Sequence, residues 1–113
     1  MHEHSNMDID IIERDDAVVV VVKGEVDLCA APEFEQSLAW AGASEAPSIV
    51  LDLDRVSFMD SAGVHVLLQF SLLEANRTRL ALTPGSPQVQ RLLDVTGVRR
   101  YLSFVSSTGL GAR

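Results

Sequence analysis

A chain of 113 residues suffices for one domain with a real core and is short for two. Its formal net charge of −7 argues against a nucleic-acid binder, whose phosphates need a basic face, and suits a basic protein partner. The single cysteine, Cys29, excludes an intramolecular disulfide and fits a reducing compartment.

Met1 to Asn6 are polar, with neither the basic start nor the apolar stretch of a secretion signal, and are expected to be a flexible tail. The longest apolar run, Ala17 to Val22, is far below the about 20 residues that a membrane-spanning helix needs. The expected location is the cytoplasm, with no membrane contact. His2, Glu3 and His4 lie on a tail too short to support a metal site, and no metal or cofactor is expected.

Met7 to Glu13 alternates weakly as a strand, and Arg14-Asp15-Asp16 turns it back. Ala17 to Lys23 follows with five consecutive valines, which favour extended backbone and burial on both faces, so this strand is expected at the sheet centre. The short turn makes these two strands an antiparallel pair. Pro32 suits the first turn of a helix whose apolar members are Phe34, Leu38 and Ala41. Trp40, near its end, reads as half-buried packing, and Cys29 as a small packed side chain. Residues 42–47 read as a linker.

A strand at 48–53, a helix at 62–76, a strand at 79–83 and a helix at 86–95 then alternate, which implies right-handed parallel crossovers. Pro84-Gly85-Ser86-Pro87 turns the chain into the third helix. A last short strand is expected at about Tyr101 to Val105. The fold class is α/β: one domain over 7–106, a mixed five-stranded sheet with three main helices, and a tail at 107–113 where a final helix is short or missing.

The corner Ser57-Phe58-Met59-Asp60-Ser61-Ala62-Gly63-Val64 separates the buried strand Ile49-Val50-Leu51-Asp52-Leu53 from the apolar second helix. Ser61 therefore falls at or near a helix N-cap, where unpaired backbone N–H groups and partial positive charge tolerate an anion. Ser61 and Asp60 each suit plain capping as well. His65, Gln69 and Asn76 recur roughly one turn apart on the helix and describe a solvated face. Asp27 ends the central strand, where an acid is either a loop residue, a cap or part of a surface. Arg91, Arg99 and Arg100 form the one basic cluster, read as capping and solvating residues.

Ile49 to Leu68 (IVLDLDRVSFMDSAGVHVLL) resembles the signature of bacterial anti-sigma factor antagonists, the STAS-domain proteins. Gly24-Glu25-Val26-Asp27 with Ala31-Pro32 is similar to their first strand–loop–helix, and Val89 to Val98 to their third helix. The resemblance spans about residues 7 to 105. It implies that Ser61 is phosphorylated by an anti-sigma factor serine kinase that is also the binding partner, and that a phosphatase removes the phosphate. It implies a partner surface of Asp27, Asp60, Ser61, Val64 and His65, and regulation of sigma-factor-dependent transcription without enzymatic activity. Ala62 stands where many members carry Ser or Thr, the link Ala75 to Thr78 is short, and the last helix has almost no counterpart.

Two other functions compete. A serine hydrolase is disfavoured, because Met59-Asp60-Ser61-Ala62-Gly63 lacks the leading glycine of a nucleophile elbow and no motif supplies a base. A STAS subunit of a stress-signalling or transport assembly, without a phospho-switch, is the alternative within the family.

Overall fold

The computed structural model describes residues 5–106. Strand β1 (Met7–Glu13) pairs antiparallel with β2 (Ala17–Val26), β3 (Ser48–Met59) lies parallel to β2, and β4 (Leu80–Leu82) lies parallel to β3. The strand order is therefore β1-β2-β3-β4, with helices α1 (Ala31–Ala43), α2 (Ser61–Leu72) and α3 (Pro87–Thr96) between or after the parallel strands. The valine run takes the inner position expected of it. Alternation turns Val18, Val20 and Val22 into the main core with Ile49, Leu51 and Leu53, while Val19 is buried on the opposite face. Phe34, Leu38 and Ala41 close that core from α1.

The sheet has four strands, where five were expected. Helix α3 ends on Gly97, whose left-handed φ of 78° starts a 3-10 turn over Val98–Tyr101. The chain thus reaches β4 late and makes one parallel bridge, Leu82 to Phe104. Leu82 N–H donates to Ser103 O at 2.8 Å and Val105 N–H to Leu82 O at 2.8 Å, so a single residue of the intended strand is paired.

Helix α2 also ends sooner than 76. Leu73 is extended (φ −65°, ψ 132°), and a 3-10 turn at Glu74–Asn76 follows. Asn76, expected on a solvated face, is buried instead: its side-chain N–H donates to Phe70 O at 3.1 Å and so closes the helix end. Conversely, β2 and β3 run on to Val26 and Met59, beyond the expected 23 and 53. Their ladder tolerates the extension through irregularities around Val21/Lys23 and Gly24/Glu25. Gly24 is required there, since its φ is 94° and a Cβ would lie 2.0 Å from Asn6 O. Of the tails expected at 1–6 and 107–113, residues 1–4 and 107–113 lie outside the described residues, while Asn6, within the first, accepts from Glu25 N–H at 3.0 Å and is tied to the sheet.

The expected linker after α1 is held by one side chain. Arg79 Nε and Nη2 donate to Ala46 O at 3.0 and 2.8 Å, Nη2 to Ser44 O at 2.9 Å, and Nη1 to Gly42 O at 3.1 Å. The guanidinium thus answers carbonyls at the negative end of α1 and fastens them to the start of β4. Hydrogen bonds to a charged group contribute about 1.5–3 kcal/mol, so Arg79→Ala is expected to lower the unfolding free energy by about that amount in urea titration. Arg79→Lys should recover less than half of the loss, because an ammonium cannot span three carbonyls.

Candidate functional site

Asp60 is the hinge between sheet and helix. Its N–H donates to Val26 O at 3.2 Å, continuing the β2–β3 ladder by one bond. Its backbone is extended (φ −117°, ψ −172°), and its Oδ1 accepts from Ala62 N–H at 2.9 Å and Gly63 N–H at 3.4 Å. Its carbonyl accepts the first helical bond, from Val64 N–H at 3.2 Å. The N-cap is therefore Asp60, and Ser61 is the first residue of α2. Ser61 is exposed, and its hydroxyl makes no hydrogen bond to any described residue. The corner presents a free hydroxyl beside a carboxylate already engaged in capping.

Gly63 lets this corner sit so close to the sheet. A Cβ there would lie 2.8 Å from Val26 Cγ1, 2.9 Å from Met59 Cγ and 3.0 Å from Val26 O. Residue order alone assigns Gly63 no role. A glycine three residues into an otherwise apolar helix was the available signal.

Asp27 starts the turn that leads into α1. Its carbonyl accepts from Ala30 N–H at 3.1 Å and Ala31 N–H at 3.0 Å, and its Oδ1 from Ala30 N–H at 3.1 Å. Ala30 has no side chain with which to cap α1; the Asp27 carboxylate instead fixes the turn that leads into the helix. The following residue, Leu28, is 74% exposed, and Cys29 is exposed rather than packed. Leu28, Ala31 and Pro32 on one side and Ser61, Ala62 and His65 on the other line a shallow groove of about 600 Å³. It continues between α1 and α2 as an apolar cleft of about 770 Å³, floored by Leu38, Val66 and Phe70 and rimmed by exposed Leu72 and Leu73.

The structure brings Ser61 and His65 to this groove; Asp60, capping α2 next to Ser61, and Asp27, at the start of the opposite loop, adjoin it without lining it. Val64, expected on the partner surface, is 4% exposed and belongs to the core, because helical geometry turns it inward while His65 points out. Arg99 pairs with Asp94 at 3.5 Å and lies 5.1 Å over Phe104, and Arg100 lies 5.4 Å over Tyr101. Neither they nor Arg91 line the groove at Ser61. Among the described residues no group of three or more His, Cys, Asp or Glu is placed to hold a metal ion, and no helix is long and apolar enough to cross a membrane.

Comparison with known proteins decides the family. The STAS domain model matches residues 8–112. The chain belongs to the STAS-domain family. This STAS domain is 35% identical over 106 residues to the anti-sigma-B factor antagonist of Listeria monocytogenes, covering 92% of this chain and 93% of that one. Its fold matches the crystal structure of an anti-sigma factor antagonist from Mycobacterium paratuberculosis with a TM-score of 0.81 at 26% identity, covering 94% and 92% of the two chains. It also matches the Bacillus cell fate determinant SpoIIAA in its phosphorylated form, with a TM-score of 0.68 at 24% identity over 94% and 98%.

The corner of this STAS domain separates stability from presentation. Asp60→Ala should lose about 1 kcal/mol in urea unfolding through the lost cap, whereas Asp60→Asn, which caps as well, should stay within a few tenths. Gly63→Ala must push a methyl against Val26 O, a backbone atom that cannot swing away, and is expected to lose about 1–3 kcal/mol by the same measurement.

Proposed function

We propose that this STAS domain is an anti-sigma factor antagonist, a binding module without chemistry of its own, switched by phosphorylation of Ser61. The observation that carries the reading is the exposed Ser61 hydroxyl, without a hydrogen-bond partner among the described residues, at the first residue of α2. The Listeria relative, named an anti-sigma-B factor antagonist and alike over nearly the whole length, supports it. Unphosphorylated, the domain occupies an anti-sigma factor serine kinase and frees the sigma factor for transcription; phosphorylated, it lets go. The partner surface comprises Ser61, Asp60 and His65, with Asp27 holding the opposite loop. The kinase's need for ATP places this cycle in the cytoplasm.

Transfer forms a bond from Ser61 Oγ to the γ-phosphorus of kinase-bound ATP and breaks the bond to ADP, while the hydroxyl proton passes to a base of the kinase. In this reading Asp60 serves the step by fixing the corner, its Oδ1 holding the Ala62 and Gly63 amides. A phosphatase reverses the step by hydrolysing the Oγ–P bond.

Phosphorylation adds about −1.5 to −2 charges and three acceptor oxygens. The N-terminus of α2 attracts that charge and the Asp60 carboxylate repels it, so the two local effects oppose and the fold stays closed. The partner surface, complementary to a neutral hydroxyl, must instead desolvate a dianion beside Asp60. Mismatches of this kind cost about 2–5 kcal/mol, roughly 30- to several-thousand-fold in affinity.

Titration of the kinase and mapping of incorporated phosphate test the switch. Ser61→Ala should bind constitutively and accept no phosphate. Ser61→Asp should bind at least about 30-fold more weakly with a melting temperature near that of the wild type. Phosphate on another residue, or tight binding by Ser61→Asp, overturns the mechanism. Asp27→Ala is expected to weaken kinase binding while stability stays within about 0.5 kcal/mol, because the Asp27 carbonyl still accepts from Ala30 N–H.

A further inference from the structure

The outer edge of β3 runs short of partners before it reaches the corner. Its ladder to β4 covers only Ile49, Val50 and Leu51, after which Leu53 N–H turns to the Thr83 hydroxyl at 2.8 Å. Met59 is the last strand residue before Asp60. Both backbone polar groups of a strand residue point to the same side, and those of successive residues alternate. Since Asp60 N–H is spent on Val26 O, the N–H and C=O of Met59 face the open edge.

There they meet the side chain of Gln88. Met59 N–H donates to Gln88 Oε1 at 3.1 Å, and Gln88 Nε2 donates to Met59 O at 3.0 Å. A primary amide carries the same donor and acceptor as a peptide unit, so the pair reproduces the double exchange between residues of neighbouring strands. The amide is delivered by the first turn of α3. Pro87 begins that helix, Ser86 Oγ caps it by accepting from Val89 N–H at 3.3 Å, and Gly85 (φ 75°) brings it against Leu53. The sequence separation of 29 between Met59 and Gln88 makes this a tertiary clamp on the corner.

We infer that Gln88 is a positioning residue for phosphate acceptance at Ser61: it stands in for the absent strand at Met59 and thereby holds Asp60 and Ser61 in one orientation. The inference rests on Ser61 being the phospho-acceptor. Group transfer needs its reacting atoms about 3–3.5 Å apart and aligned, and a displacement of about 1 Å can cost 10²-fold in rate. Binding, by contrast, is spread over a surface that a small swing of one hydroxyl barely changes.

The test uses the full chain with Gln88→Met, which keeps length without either hydrogen bond, and Gln88→Glu, which keeps the acceptor for Met59 N–H and loses the donor. An anti-sigma serine kinase from the same cells is supplied with magnesium and labelled ATP. Gln88→Met should exchange the Met59 amide proton about tenfold faster, as the loss of one net hydrogen bond implies. It should lower kcat for phosphate incorporation by about tenfold or more while KM and the Kd for the kinase stay within about threefold. Gln88→Glu should fall between it and the wild type in both readouts. A kcat within about twofold of wild type for Gln88→Met, or equal losses in binding and rate, would overturn the inference and reduce Gln88 to a stabilising contact. Phosphate found on a residue other than Ser61 in the wild type would remove the underlying reading, and the role of Gln88 with it.

Discussion

The hydrogen bond from Asp60 N–H to Val26 O is the joint on which the functional face depends. It is the last bond of the parallel β2–β3 ladder, and the residue that donates it also caps α2. Sheet and helix therefore share one residue, with no loop between them to absorb motion. The direction in which α2 leaves the sheet follows from the pleat of β3, and the placement of Ser61 follows from both. Because Val26 is the accepting residue, the same bond also sets where the Asp27–Ala30 turn begins. The two walls of the groove are thus referred to one another through the sheet.

Two acids carry this construction by similar means. Asp60 answers the amides at the start of α2, and Asp27 answers Ala30 N–H ahead of α1. Each uses a charged acceptor where a helix begins, the end that favours negative charge. A neutral hydroxyl as cap at position 60 would hold α2 too, but it would leave the approach to Ser61 without a fixed negative neighbour. The carboxylate makes any added charge on Ser61 more conspicuous to an incoming surface, without asking the fold to rearrange.

Much of this was legible in residue order. Five valines in a row identified an inner strand, the spacing of Phe34, Leu38 and Ala41 identified the buried face of α1, and the Asp-Ser-Ala-Gly stretch identified the strand-to-helix corner of the candidate site. What escaped depends on contacts between distant residues. The apolar pattern continues through Leu72 and Leu73, so nothing local shows that Asn76 folds back to close α2 on Phe70 O. Tyr101 to Val105 looks extended, yet Gly97 and the 3-10 turn after it consume the length that a fifth strand needs. Val64 was grouped with its neighbours by motif, and only the helix phase separates it from His65. Arg79, Gly63 and Gln88 act across 29 or more residues or through a close approach, and periodicity carries no information on either.

Among the described residues β1 is paired on one side alone, and that has a consequence of its own. A strand paired on one side exposes a row of backbone groups that another chain can extend. Here Asp8 and Asp10 stand on one face of that strand and Glu13 near its end, all exposed, with Lys23 of β2 answering only Asp10, at 3.3 Å. A second copy arriving edge to edge in antiparallel register would bring carboxylates against carboxylates, and like charges facing one another across strands are destabilising. Ile11 and Ile12 are partly exposed on the same strand and would otherwise invite such contact. The acidic balance of the chain thus guards its colloidal behaviour, keeping the sheet from growing sideways into a polymer as the chain is concentrated.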